Sequence, residues 1–444
     1  MTRALFFKFL LLAAVTVVLT IVLARIGWIV DERQTFQREA VASVAESQAG
    51  GQTLLGPLLL RNCTEQWQTT TVTEKEKKVE TQTTAYQLMS TPAKLDVSGA
   101  LNAEPRYRGL FKVNGYAGPL KIKASWAELN SLEPTASHQG GQVRCEAPQV
   151  MLALSDVRGV RAATVVLGKT ALPVKPGTGH ANYTKGMHAE LPGFNANQPL
   201  ELSIDLELNG TQDFAIVPAA AATTMSVQSN WPHPSFGGRF LPSAREVNER
   251  GFDAHWKVSE LASSAARDVL QGVGAPGINS GQGAVMDTLG FSMIDPVNPY
   301  VMSDRAIKYG LMFIVLTFVC VGLVELLAGA RVHPVQYLLV GLAQSIFFLL
   351  LLSLSEQIDF ALAYGIAAAA TAGLLAFYGA SALGSARRGL VFGAGVAGIY
   401  GALYVLLRLE QASLLVGSVL LFIVLAAVMI ATRRIDWHAL VSRE

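Results

Sequence analysis

Cysteine is nearly absent from this chain, and so is any concentration of charge. Only three cysteines occur in 444 residues, at Cys63, Cys145 and Cys320. That is too few for a disulfide-scaffolded fold or a cysteine-ligated zinc module. Charged side chains make up 15% of the sequence, and the net charge is +2 with no basic block. Nucleic-acid binding, which needs a concentrated cationic patch, is thereby excluded. The seven histidines are scattered and form no HExxH pair, and His180 and His188 lack nearby acidic or sulfur partners. There is no GxSxG elbow and no Walker loop. No catalytic, metal or cofactor set follows from these residues, and the expectation is a non-enzymatic protein without a cofactor.

What the chain does have is apolar runs in an uneven order. One spans about residues 9–30. Five more crowd together at about 306–328, 335–354, 358–378, 390–407 and 412–431. Each is close to the roughly 20 apolar residues that cross a bilayer as a helix. Of 35 basic and 33 acidic side chains, 24 and 27 fall within residues 31–305, so this stretch reads as an ordinary water-facing domain. The predicted organisation is an N-terminal transmembrane anchor (1–30), a large β-rich domain (31–305), five transmembrane helices (306–431) and a short tail (432–444).

Arg3 and Lys8, Arg331, the Arg387–Arg388 pair and the Arg433–Arg434 pair lie at alternating ends of the spans. The positive-inside rule then puts both termini in the cytoplasm and residues 31–305 on the outer side, which is the periplasm if this is a bacterial envelope protein. The first segment has the charged start of a signal peptide, but its apolar run continues to Val30 without a small-x-small cleavage site. It reads as an uncleaved anchor, with Arg25 snorkelling and Trp28 at the interface.

Within the polar stretch, residues 32–48 read as a helix leaving the membrane and the rest as strands. Leu200, Leu202, Ile204, Leu206 and Leu208 alternate with Glu201, Ser203, Asp205 and Glu207, a period of two with one buried face. Asn209-Gly210 and Asn114-Gly115 are read as hairpin turns, because Asn-Gly tolerates positive φ. Residues 252–258 alternate in the same way, and the threonine-rich run 69–84 reads as a solvent-facing ribbon. Many short strands with Gly, Pro and Asn between them predict a β-sandwich-like domain. Gly272, Gly274 and Gly277 spell GxGxxG, but the segment follows a helical stretch and lacks the strand–turn–helix context of a dinucleotide site. It reads as a flexible linker.

Three groups of residues are candidates for function. The loop 229–242 carries Trp231, His233, Phe236, Arg239 and Phe240 among prolines and glycines. It reads either as a rigid partner or ligand loop or as a cover that caps the sheet. Gln344, Glu356, Asp359, Arg408 and Glu410 form a candidate polar cluster in the membrane segments. They either mark a site or fix helix packing, with Gln344 in an interhelical hydrogen bond. Cys63 and Cys145, both in the exported stretch, either pair as a disulfide or stay apart as buried thiols. Two series of small residues, Ala361/Gly365/Ala369/Gly373 and Gly389/Gly393/Ala397/Gly401, are each expected to line a close helix–helix contact.

The strings RVHPVQYLLVG (331–341), LLLLSLSEQIDFALAY (349–364), RRGLVFG (387–393), YGALYVLLRLEQASLLVGSVLLF (400–422) and TRRIDW (432–437) resemble the CreD family of bacterial inner-membrane proteins. Residues 191–220 and the 229–242 loop are similar to that family's exported part. One departure is that the family pattern continues apolar after Gly-Pro-Leu-Leu, whereas here Leu60 runs into Arg61-Asn62-Cys63. The resemblance implies an inner-membrane protein of the envelope integrity and stress system. It also implies a link to a CreBC-type two-component response and to colicin and β-lactam tolerance. It brings no reaction and no catalytic residues. The expected partners are the lipid bilayer and an envelope or two-component protein. The rival reading is a membrane-embedded enzyme or lipid and solute handler built on the intramembrane polar residues.

Overall fold

The computed structural model describes residues 3–73, 76–279, 285–296, 298–328, 332–382, 384–409 and 413–433. The chain divides into two compact units, Met1–Arg38 with Val297–Glu444, and Glu39–Pro296.

The first unit is helical. Helix α1 runs without a break over Arg3–Ser47. It joins the apolar run to the helix expected over residues 32–48 because nothing between them breaks a helix. No proline occurs before Pro57, and the lone Gly27 costs only about 1 kcal/mol. After the short α2 (Ala265–Leu270) of the other unit come α3 (Pro299–Ala328), α4 (Pro334–Ser355), α5 (Phe360–Ala382), α6 (Ala386–Arg408) and α7 (Ser413–Thr432). Among the described residues, five helices are long and apolar enough to cross a membrane: α1 and α3 to α6. In α7 the apolar stretch is shorter, 417–430. Proline at the first helical position needs no amide partner, which lets α3 start at Pro299, ahead of the apolar run. His333 caps α4: its Nδ1 accepts from the Val335 amide at 3.3 Å, and Gln336 accepts from the His333 amide at 3.0 Å.

The bundle core is built from Leu19 and Leu23 of α1 with Phe313, Ile314, Phe347, Leu351, Tyr364, Leu375, Val396 and Leu403. Leu19 packs directly on Gly341, where any side chain would collide with it. The α5–α6 contact uses only part of the expected small-residue pattern. Gly389 and Gly393 lie against Ala380 and Ala376, but Gly365, Gly373 and Gly401 face open space. The reason is geometric. Each four-residue step turns the direction about 40° around the helix, so a series of four cannot stay on one face.

The second unit is a sandwich of two nine-stranded sheets. In the first sheet the spatial order is Lys175–Pro176, Gly186–Glu190, Gln149–Leu154, Gln52–Thr73, Asp213–Ile216, Leu289–Met293 and Pro234–Gly238, with Glu76–Ser90 and Gln142–Cys145 also paired to Gln52–Thr73. In the second it is Ala244–Asn248, Gly251–Ser259, Ala222–Ser229, Lys94–Ala100, Phe111–Trp126, Leu200–Thr211, Val160–Leu167 and Thr170–Leu172, with Asn102–Arg108 on the Phe111–Trp126 edge. Leu202, Ile204, Leu206 and Leu208 point into the core between the sheets, as their alternation requires.

The run 54–60 is apolar on both faces because its sheet is covered on both sides. Leu54 and Leu59 enter the intersheet core. Leu55, Leu58 and Leu60 enter a second core with Val269, Ala275 and Ile278. The GxGxxG segment is therefore a packed cover over this sheet, where a flexible linker was expected. Its burial follows from Val269, Ala275 and Ile278, which are spaced irregularly and carry no periodic signal.

Neither Asn-Gly pair is a turn. Asn209 and Gly210 pair with Ala117 and Tyr116 in mid-strand, and Gly115 pairs with Thr211. The glycines serve close approach: a side chain on Gly210 would occupy the place of the Tyr116 hydroxyl. That hydroxyl donates to the Asp213 carbonyl at 2.7 Å. The chain instead passes from one sheet to the other at Gln212, whose φ is 61°.

Candidate functional site

Several polar residues of the helical unit tie one helix to another. Glu356 follows the last residue of α4 and accepts from two neighbouring helices. Arg33 of α1 approaches it at 3.5 Å, and the Tyr300 hydroxyl of α3 at 3.4 Å. Beside them Gln34 donates to the Tyr300 carbonyl at 3.4 Å, and Asn298 donates to Gln37 at 2.9 Å. This polar end joins α1, α3 and α4.

Gln344 is buried and donates to the Thr317 hydroxyl of α3 at 2.5 Å, as an interhelical bond within the bilayer core requires. Glu325 accepts from the Tyr337 hydroxyl at 3.1 Å and from the Val332 amide at 3.3 Å. Asp359 is exposed and caps α5, accepting from the Ala361 amide at 2.8 Å. Arg408 lies over the Tyr404 ring at 5.4 Å. Glu410 lies outside the described residues, as do Arg331 and Arg434. The polar group read from the sequence is therefore not one cluster among the described residues. Glu356, Gln344, Asp359 and Arg408 serve four different local contacts. Arg33 and Tyr300, which complete the Glu356 tie, carry no sequence signal beyond their place just outside apolar runs.

The loop 229–242 carries the chain from the second sheet to the first and back. Trp231 is 9% exposed, and its indole N–H donates to the carbonyls of His233 at 2.9 Å and Ile294 at 3.2 Å. Phe236 meets Phe252 and Trp256 edge-on, each at 5.7 Å between centroids. Phe240 packs against the intersheet core, and its carbonyl accepts from the Trp256 indole at 3.1 Å. Arg239 reaches the buried carboxylate of Asp287 at 3.2 Å, which also accepts from Ser263 at 3.0 Å. The rings thus close the sandwich, while His233 and the outer part of Arg239 remain exposed.

A third group sits at the base of the long hairpin Gln52–Thr73/Glu76–Ser90. Cys63 and Cys145 are directly opposed across the antiparallel pair and joined as a disulfide, with Cα atoms 4.1 Å apart. Two residues on, Glu65 is almost fully enclosed. Its Oε1 accepts from the amides of His138 at 2.8 Å and Ser137 at 2.9 Å, and the His138 imidazole lies 3.4 Å from its Oε2. The His138 amide, helped by that imidazole and the Ser137 amide, holds the Glu65 carboxyl below its ordinary range. Trp67 stacks flat on His138 at 3.7 Å. Sequence reasoning missed this clasp because Glu65 and His138 lie 73 residues apart.

The last turn of α1 is held within the second unit by Arg158. Its guanidinium donates to the Ala45 carbonyl at 3.2 Å and to that of Glu46, satisfying helix-end carbonyls. Asp156 orients it through contacts of 2.6 Å and 2.9 Å. Burial alone would raise the Asp156 carboxyl, but the Arg158 guanidinium and the Gly50 and Arg158 amides outweigh it and hold it low. His180 is depressed by burial, and the same cause pushes Tyr183 up to about 12. Among the described residues, no three His, Cys, Asp or Glu side chains converge as metal ligands.

The model of the family described as "Inner membrane protein CreD" matches residues 4–438. The inner membrane protein CreD of Escherichia coli (strain K12) is 33% identical over 442 residues, covering 98% of this chain and 94% of that protein. Two crystal structures of an M1 zinc metallopeptidase from Deinococcus radiodurans, one of them a mutant, align with 37% of this chain and 38% of theirs. They do so at 10% identity and a TM-score of 0.21. Likeness that weak carries no argument about chemistry or fold.

Proposed function

Because the chain belongs to the CreD family of inner membrane proteins, we propose that it acts as a non-catalytic element of the envelope stress and integrity system. In this reading the sandwich is the working part, exposed in the periplasm and contacting an envelope component or a CreBC-type two-component partner. The helices hold it, with both termini in the cytoplasm. The observation that carries the reading is where the cysteines are and what state they are in. Cys63 and Cys145 are bonded within the sandwich, whereas Cys320 in α3 is free. Disulfides persist in oxidising compartments such as the periplasm. The use of Glu356, Gln344 and Glu325 in helix ties supports a scaffolding role for the membrane segments rather than a reactive one.

Orientation is tested with a membrane-impermeant maleimide on intact cells. A label at Glu201→Cys is expected without permeabilisation, and one at Ser385→Cys only after it; the reverse pattern refutes the topology. Function is tested by excising residues 39–296 while checking that the shortened chain still accumulates in the membrane. The expected result is loss of the two-component reporter response and of colicin and β-lactam tolerance. An unchanged response removes the sandwich from the mechanism.

A further inference from the structure

The outer face of the first sheet is roofed by the segment that carries Val269, Ala275 and Ile278, but the outer face of the second is hollowed. Two depressions of about 490 Å³ and 410 Å³ lie on the strands Lys94–Ala100, Phe111–Trp126, Leu200–Thr211 and Val160–Leu167. Strand alternation fixes what lines them. Leu95, Val97, Leu120, Ile122, Ile204 and Leu206 enter the intersheet core, so their neighbours in sequence face water.

Two rails of opposite charge result. Lys94, Lys121 and Lys123 stand on two adjacent strands, and Glu201, Asp205 and Glu207 on the next. Lys121 and Asp205 are directly opposed and form an ion pair at 3.8 Å. Lys94, Lys123, Glu201 and Glu207 form none among the described residues. The register explains why. Lys123 is opposite Ser203, and Glu207 is opposite Pro119. Lys94 and Glu201 flank Ser125 from its two sides, so their backbones are two strand spacings apart, about 10 Å. Ser98, Ser125 and Ser203 are half-buried and form a floor of hydroxyls between the charges. Asp96 also faces this side, opposite Lys123, and accepts from the Thr224 hydroxyl at 3.1 Å.

Shape and charge together select the occupant. From Glu201 to Glu207 the anionic rail runs about 20 Å, at roughly 3.3 Å per residue. That is the length of an extended chain of about six residues. The floor hydroxyls can donate to and accept from peptide groups, while the lysines suit carboxylates and the acids suit ammonium groups. A polyanion is repelled by one rail and a polycation by the other. No aromatic ring lines either hollow, so a sugar has none to stack on. A second copy of this sheet laid face to face would set hollow against hollow and leave both unfilled.

We propose that the outer face of the second sheet binds an extended peptide bearing both amino and carboxylate groups. The peptide lies along the strands, its carboxylates toward Lys94, Lys121 and Lys123 and its amino groups toward Glu201, Asp205 and Glu207. This names a ligand for the sandwich and rests on the reading of that unit as the working part. Binding is measured on the purified protein, so its failure is distinct from a failure of the cellular role.

The test places the full chain in phosphatidylcholine nanodiscs, with empty discs as background, and follows the fluorescence anisotropy of coumarin-labelled hexapeptides. The probes are an alternating Glu–Lys peptide, hexaglutamate and hexalysine. The alternating peptide is expected to bind tightest, and more weakly as salt screens the contacts. Neutralising a rail is expected to weaken it about two- to fivefold per charge, the size of an exposed ion pair. Lys94→Gln/Lys123→Gln is expected to shift preference toward hexalysine, and Glu201→Gln/Glu207→Gln toward hexaglutamate. Misfolding cannot produce shifts in opposite directions. Alternating peptide bound no tighter than either homopolymer overturns the proposal, and so does a preference that neither pair of substitutions moves. Displacement of the alternating peptide by maltohexaose also overturns it, because hydroxyls rather than charges would then be what the hollows recognise.

Discussion

Breaking the bond between Cys63 and Cys145 is expected to loosen the sandwich by a calculable amount. The two residues are 82 apart in sequence. Closing a loop of that length in the unfolded chain removes entropy equivalent to about 4.5 kcal/mol at 25 °C. For a unit of this size, 1 kcal/mol corresponds to roughly 2–4 °C in Tm, so the expected drop is about 9–18 °C. The chain-entropy value is an upper figure, because the antiparallel ladder around Cys63 keeps the strands paired without the bond. The assay is thermal unfolding of the full-length protein in detergent, oxidised against reduced, with Cys63→Ala/Cys145→Ala alongside. Hydrogen exchange is expected to show the loss of protection starting in Gln142–Cys145 and the 136–141 loop, which the bond holds against the hairpin. Oxidised and reduced proteins that unfold within about 2 °C of each other would refute the reasoning. So would protection lost first at Leu200–Thr211, far from the bond.

Three further outcomes follow from the packing and the titrations. Gly389→Leu or Gly393→Leu should lower the folded protein recovered from membranes, at a cost of about 1–3 kcal/mol from overpacking against Ala380 and Ala376; Gly365→Leu and Gly373→Leu, facing open space, should leave recovery unchanged. Trp231→Ala should destabilise the sandwich by about 3–5 kcal/mol, read as a lower denaturation midpoint, and an unchanged midpoint would show that the ring does not close the core. The Glu65 carboxyl is held below its ordinary range in the folded protein, so its contribution is present above the unfolded value, near pH 4.3, and lost as pH falls through the folded value. Trp67 fluorescence, isolated by difference from Trp67→Phe, should therefore change in acid as His138 unstacks, and Glu65→Gln should abolish that transition.

The elements readable in advance were those whose signal is local and periodic. Residues 200–208 alternate without fault because one face of their sheet is buried and the other wet. The spanning helices stand out because lipid demands long unbroken apolar runs. Where one sequence pattern serves two structures, the reading failed. Asn209-Gly210 and Asn114-Gly115 have the chemistry of tight turns, yet glycine also permits close strand approach, and only the position of Tyr116 decides between these. GxGxxG offers no amphipathic period, so its burial over 54–60 could not be inferred. Among the polar membrane residues, Gln344 makes the interhelical hydrogen bond expected of it, but the grouping of the others did not follow from their positions in sequence. Glu356 was grouped with Arg408, whereas Arg33 and Tyr300, in helices that begin far away in the chain, complete its contact.

The order of apolar and polar stretches by itself determined that this chain is a membrane protein with one large β-rich domain between an N-terminal helix and a C-terminal helical set. Burial of greasy surface and satisfaction of backbone groups in lipid leave few alternatives, and both are written in composition. Tertiary structure alone decided which side chains meet: Cys63 with Cys145, Glu65 with His138, Glu356 with Arg33, and Gly389 with Ala380. Each of these contacts depends on the register and rotation of elements distant in sequence. A shift of one residue in a strand, or about 100° on a helix, would turn the same side chain elsewhere.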